Sequence, residues 1–160
     1  WGPRALGNRS ILADPRSPRM KDIVNMKIKY REPFRPFAPS VLVDSADKLF
    51  EIENPQQHFP ARFMLYVVPV KEMMKQTIPA VTHVDGTARL QAVHQLESPR
   101  YYGLIQKFGE LTGVDTVLNT SFNLKGEPIV NTPENAFNTF SKSEMDTLVL
   151  ENFIIDKRSQ

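Results

Sequence analysis

Cysteine is absent from the sequence. Its absence excludes disulfides and thiolate metal sites, and a cytoplasmic setting is the simplest expectation. Histidine is scarce: His58, His83 and His94 are the only ones, and their spacing suits no metal centre. Long apolar runs are missing, as is a signal peptide, so no membrane partner is expected. Net charge is small, +2 over 160 residues, which announces no nucleic-acid partner. Repeats, low-complexity tracts and internal linkers are also absent. The first residue is not methionine: the chain opens Trp1-Gly2-Pro3 inside what reads as a working motif. That opening predicts a piece of a longer protein.

What is present is an ordinary globular composition, 41% hydrophobic, enough for one domain with a substantial core over residues 1–160. The charge is unevenly spread, however. Nine of the first 35 residues are basic, from Arg4 to Arg35, and only Asp14, Asp22 and Glu32 oppose them. Such a local excess can draw in an anionic ligand. The basic region ends in Lys29–Pro39, where Pro33, Pro36 and Pro39 recur at every third position and stiffen the backbone. Lys29, Arg31 and Arg35 sit on that frame between Tyr30, Phe34 and Phe37. Cations held on a rigid, partly apolar surface suit a ligand with several anionic oxygens. The alternative is an extended crossing segment whose charges merely face water.

Local signals predict helices interleaved with strands. Ser10–Ala13 reads as a short strand, and Ser17-Pro18 opens a helix over Pro18–Met26. Ser40–Val43 reads as a buried strand, Ala46–Ile52 as a short helix and Arg62–Val70 as a central strand. Asp85-Gly86 predicts a tight hairpin between strands Val81–Val84 and Thr87–Val93. Ser98-Pro99 starts a helix that Gly113 stops, with Tyr101, Leu104, Ile105, Phe108 and Leu111 on one face. Val114–Leu118 is the next strand. Thr132-Pro133-Glu134 starts a helix with Ala136, Phe137 and Phe140 inward, and strands Thr147–Leu150 and Phe153–Ile155 follow. The pattern implies an α/β fold, with α+β as the other option.

Three motifs could carry chemistry. Asn119-Thr120-Ser121-Phe122-Asn123-Leu124-Lys125-Gly126-Glu127-Pro128 leaves a predicted strand, where hydroxyl and amide groups can hold a ligand with the local backbone N–H groups. The alternative is a capped loop whose Ser and Asn satisfy their own backbone. In His83-Val84-Asp85-Gly86-Thr87-Ala88-Arg89, a strand would hold Arg89 rigidly for bidentate phosphate binding, and His83 could donate or titrate. Otherwise His83 and Asp85 cap a turn and Arg89 forms a surface ion pair. Gly2-Pro3-Arg4-Ala5-Leu6-Gly7-Asn8-Arg9-Ser10 lacks the Gly-Lys-Ser/Thr ending of a Walker A loop, so spacing supports only generic anion binding.

Taken together, and with Arg31-Glu32-Pro33-Phe34-Arg35-Pro36-Phe37-Ala38-Pro39, these motifs resemble the C-terminal domain of NodU/CmcH-type O-carbamoyltransferases, in family order and over nearly the whole chain. Lys29-Tyr30-Arg31 and Ser121-Phe122-Asn123 are similar to the Lys-x-Arg and Ser-x-Asn signatures of YrdC proteins. The resemblance implies a YrdC-like twisted, mostly mixed sheet flanked by helices. It implies formation of carbamoyl adenylate from ATP and carbamoyl phosphate, with magnesium arriving on the ATP. A separate N-terminal domain, absent here, would then carbamoylate a hydroxyl of a small-molecule or sugar acceptor, and iron or another metal is expected only there.

By motif position the resemblance assigns Lys29, Arg35, Arg89 and Ser121 to the carbamoyl phosphate end, as catalytic residues. Arg4 and Arg31 fall to phosphate groups, while His83, Asn119, Thr120 and Asn123 fall to substrate binding. No metal ligand is expected in this chain. Two other readings stay open, a non-catalytic YrdC-like module for nucleotide or RNA and a domain that mainly supports its partner domain. A homodimer is left open as well.

Overall fold

A five-stranded sheet organises the chain, in the order β1-β5-β2-β4-β3. Its strands are β1 (Ser10–Ala13), β2 (Ala38–Leu42), β3 (Tyr66–Pro69), β4 (Thr87–Val93) and β5 (Thr116–Ser121). The computed structural model describes residues 5–157. Only β2 and β4 run parallel; the other pairings are antiparallel. A two-stranded ribbon, β6 (Thr147–Leu150) with β7 (Phe153–Asp156), stands apart. The helices are α1 (Met20–Ile23), α2 (Ala46–Leu49), α3 (Pro99–Thr112) and α4 (Pro133–Ser141). Helix and sheet content together make a mixed α/β fold.

Both faces of the sheet are covered, and side-chain alternation decides what lies under each cover. Val41, Val68, Leu90 and Leu118 enter the main core, with Phe50, Ile78 and Val81 packed on it. The opposite face places Leu42, Val93 and Val117 beneath Tyr101 and Ile105 of α3. A third cluster joins Ile11 and Phe122 to Ala136 and Phe140 of α4 and Leu148 of β6.

The helix signals work where they are local. Pro99 sits in the first turn of α3, and Gly113 ends it at φ 79°, donating its N–H to the Gly109 carbonyl. In α4, the Thr132 hydroxyl accepts from the Asn135 N–H at 3.1 Å. The inward faces are narrower than expected, because each helix meets the rest of the chain along one stripe only. Leu104 and Leu111 of α3 and Phe137 of α4 are exposed.

Two expected strands are corrected. The apolar run before Pro69 is not a central strand: Phe59–Phe63 is a 3₁₀ turn, Met64 is left-handed, and β3 lies at the sheet edge. Val81–Val84 is not a strand either. A 3₁₀ turn over Pro79–Val81 leads into the Asp85-Gly86 turn, and β4 pairs with β3 and β2 instead. The tight turn itself is present. Gly86 has φ +79°, the His83 N–H donates to the Thr87 carbonyl at 2.8 Å, and the Gly86 N–H donates to the His83 carbonyl at 2.9 Å. The helix predicted over Pro18–Met26 begins later, at Met20, and runs on as a π-helical turn through Val24–Lys29.

The chain before β1 is strapped across the sheet by buried polar groups. Asn119 Nδ2 donates to the Ala5 carbonyl at 2.9 Å, and Gln91 Nε2 donates to the Leu6 carbonyl at 3.3 Å. Gly7 then lies flat on the Tyr101 ring at φ +105°, and a Cβ there would stand 2.3 Å from a ring carbon. Gly7→Ala is therefore expected to lower stability by about 1–2 kcal/mol, read as a lower denaturation midpoint with an unchanged slope.

Candidate functional site

The start of β2, the start of β4 and the end of β5 meet at one end of the strands, as their register requires. By the pleat, Ser121, Asn119, Ser40, Gln91 and Arg89 share one face. At that end lies a cleft of about 340 Å³ lined by Arg31, Arg35, Pro36, Phe37, Val67, His83 and Arg89. Three arginines and a histidine, from segments far apart in sequence, thus converge on one cavity.

Each arginine arrives differently. Arg89 stands on β4 directly opposite Val67 of β3, so the sheet holds its backbone. Arg31 follows the π-helical turn because Tyr30 takes a left-handed conformation, φ 48°, and reverses the chain. Its Nε donates to Asn25 Oδ1 at 2.7 Å, and its guanidinium lies over the Phe37 ring, 4.6 Å from the centroid. Arg35 is held more loosely, through a 3.3 Å exposed ion pair with Glu32 that contributes little stability. Burial first, then the neighbouring Arg35 and Arg89 charges, lower the pKa of Arg31, while Glu32 opposes them. Like charges gathered this closely make a site that an anion would relieve.

Asn25 organises this segment, and sequence reasoning missed it. It is 0% exposed, and its Nδ2 donates to the Pro33 and Arg35 carbonyls at 3.4 and 3.1 Å. One side chain thereby holds both Arg31 and the proline frame. An asparagine inside a helical pattern carries no local mark of such a role, because its partners lie 8 and 10 residues away.

Lys29, Ser121 and Asn123 form a second cluster beside the cleft. Lys29 is only 6% exposed. Its ammonium donates to the Ser121 and Asn123 carbonyls at 2.7 and 2.9 Å, to Asn123 Oδ1 at 2.8 Å and to Ser121 Oγ at 3.2 Å. Four acceptors surround three donors, so the ammonium is fully engaged. Ser121 Oγ donates in turn to Asn123 Oδ1 at 2.6 Å, and Asn123 Nδ2 donates to the Glu127 carbonyl at 2.8 Å. Burial pushes the Lys29 pKa down to about 8, the nearby Arg31 adds to the shift, and Glu127 opposes it.

At the turn, Thr87 Oγ1 donates to Asp85 Oδ1 at 2.7 Å and meets His83 Nδ1 at 3.1 Å. Burial lowers the His83 pKa, Arg89 and Lys21 add to that, and Asp85 opposes it.

Asn119 does not line this cleft. It is 1% exposed, and besides Ala5 its Nδ2 faces Ser40 Oγ and Gln91 Oε1, both at 3.0 Å. Thr120, one residue along β5, points by alternation to the other face, opposite Ile11 of β1. Arg4 lies outside the described residues. A second cleft of about 290 Å³ runs along the far end of β4, lined among others by Gln91, His94, Arg62 and Glu97. There Arg62 is ion-paired with Glu97, so no comparable excess of positive charge gathers. No helix among the described residues is long and apolar enough to cross a membrane.

Fold and cleft together define the class: a mixed α/β domain with a strongly basic cleft at one end of its sheet strands. The chain belongs to the family described as Carbamoyltransferase C-terminus, which matches residues 1–157. It is 50% identical over 159 residues to Nodulation protein NolNO of Sinorhizobium fredii, covering 99% of this chain and 23% of that protein. It is 45% identical over 175 residues to Uncharacterized protein sll1178 of Synechocystis, covering 100% of this chain and 28% of that protein. Nodulation protein U of Rhizobium tropici is 43% identical over 125 residues, 78% of this chain and 21% of that protein. The chain thus spans less than a third of the length of these relatives.

Proposed function

We propose that this domain forms carbamoyl adenylate from ATP and carbamoyl phosphate, as the activating half of an O-carbamoyltransferase. Carbamoyl phosphate, ATP and water give carbamoyl adenylate, inorganic phosphate and pyrophosphate. Hydrolysis breaks the bond between the carbamoyl group and its phosphate. The carbamate oxygen then bonds to the α-phosphorus of ATP as pyrophosphate leaves. A second domain passes the carbamoyl group to a hydroxyl of a sugar or small-molecule acceptor.

The observation that carries this reading is the convergence of Arg31, Arg35 and Arg89 on one cleft in a chain of the carbamoyltransferase family. Both substrates are polyanions, and bringing them together needs fixed cations to offset their repulsion and the charge developing on phosphorus. Arg31 and Arg89 have the fork geometry for phosphate oxygens, and Arg35 adds a third guanidinium at the cleft mouth. Lys29 adds charge beside them and holds Ser121 and Asn123 in place. Magnesium enters with the ATP phosphates.

Incubation of the protein with magnesium ATP and carbamoyl phosphate is the direct test. The expected outcome is carbamoyl adenylate by mass spectrometry, with pyrophosphate appearing only when both substrates are present. ATP left intact, together with no calorimetric binding of either substrate, would sink the proposal.

A further inference from the structure

Every nitrogen of the three cleft arginines is a hydrogen-bond donor. They match phosphate oxygens and a carbonyl, but they offer nothing to an amino group. The side chains of Pro36, Phe37 and Val67 neither donate nor accept. Among the described residues lining this cleft, His83 is therefore the only one whose side chain can accept a hydrogen bond.

The turn decides which ring nitrogen accepts. Asp85 Oδ1 receives the Thr87 backbone N–H at 3.0 Å and the Thr87 hydroxyl at 2.7 Å. A threonine hydroxyl has one proton, and here the carboxylate takes it. At the 3.1 Å contact, His83 Nδ1 must then be the donor. Neutral His83 carries its proton on Nδ1 and its lone pair on Nε2. The charged groups around the ring are Asp85, Arg89 and Lys21, with Arg31 and Arg35 in the same cleft, so cations outnumber the single carboxylate and favour the neutral ring.

We infer that His83 Nε2 accepts a hydrogen bond from the amino group of carbamoyl phosphate, selecting it over acyl phosphates that carry a methyl there, with Asp85 and Thr87 as positioning residues. This rests on the carbamoyl phosphate reading above. Acetyl phosphate is the informative competitor: it keeps the phosphate and the carbonyl and replaces the amino group with a methyl.

Calorimetric binding of carbamoyl phosphate, acetyl phosphate and inorganic phosphate to the protein tests the inference. Wild type should prefer carbamoyl over acetyl phosphate by about tenfold, the worth of one buried hydrogen bond. His83→Leu should bring the two to equal affinity and leave inorganic phosphate within about twofold. His83→Gln, which keeps an acceptor, should recover part of the preference. Asp85→Asn and Thr87→Val should reduce the preference without weakening inorganic phosphate. In wild type the preference should fall as pH drops below the ordinary histidine value of 6.5, because protonation removes the acceptor.

That last measurement stands even if the His83 variants fail to fold. Equal affinity for the two acyl phosphates in wild type, a preference that survives His83→Leu, or one indifferent to pH would each overturn the assignment while leaving the phosphate site intact. Failure of all three phosphates to bind would remove the site itself, and the inference with it.

Discussion

Arg89→Ala is expected to abolish the rise in melting temperature that the proposed carbamoyl phosphate binding should give the wild-type protein, with little change in the unliganded melting temperature. The two halves of this expectation have separate grounds. Arg89 is exposed on β4, so truncation removes no core packing, and alanine fits a strand that already holds buried Ala88 and Ala92. A charge-assisted hydrogen bond to phosphate is worth about 1.5–3 kcal/mol, or roughly tenfold to more than a hundredfold in affinity. A ligand bound that much more weakly stabilises correspondingly less at the same concentration. Arg89→Lys should fall between, because it keeps the charge and loses the planar fork. Carbamoyl phosphate binding to Arg89→Ala as it does to wild type would remove Arg89 from the site.

Lys29→Met should behave in the opposite way, damaging the fold as well as the site. The change leaves the Ser121 and Asn123 carbonyls, 2.7 and 2.9 Å from the ammonium, without their donor in a half-buried place. Each orphaned acceptor costs about 1–3 kcal/mol, and the desolvation of the lysine is recovered in part. A net loss of about 2–4 kcal/mol is expected, read from the midpoint of chemical denaturation.

The loss should also depend on pH. Lys29 titrates near 8 in the folded protein, against an ordinary value of 10.5. Between those values the unfolded chain binds the extra proton, so the wild-type contribution from Lys29 rises with pH through that window. The methionine variant lacks that rise, and its deficit should widen from neutral to alkaline pH. A deficit under about 0.5 kcal/mol, within the range of an ordinary surface change, would show that the lysine cluster holds nothing together.

The two variants separate roles that motif position alone treats alike. Motif position alone assigns both Lys29 and Arg89 to the carbamoyl phosphate end. In the fold, Lys29 is buried with its ammonium against Ser121 and Asn123, whereas Arg89 is exposed and its side chain lines the cleft. Asn119 and Asn123 are both engaged by the protein itself, in different places. One is buried under the chain that precedes β1, and the other is locked to Lys29 and Glu127. A motif names residues that belong together in sequence, while a side chain's role depends on whether the fold buries it or turns it to a cleft.

What the sequence determined by itself is what neighbouring residues decide among themselves. The Ser98-Pro99 start and Gly113 stop of α3, the Thr132 cap of α4, the Asp85-Gly86 turn and the β6–β7 ribbon are set within a few residues. The gathering of basic charge and the motifs of the carbamoyltransferase family were legible for the same reason. Partner choice was not. The pairing of β4 with β2 and β3 in place of Val81–Val84, the edge position of β3, and Asn25 as the anchor of the proline frame all depend on surfaces brought together from distant segments. Chain entropy leaves such contacts unformed until the core closes, so no local pattern records them.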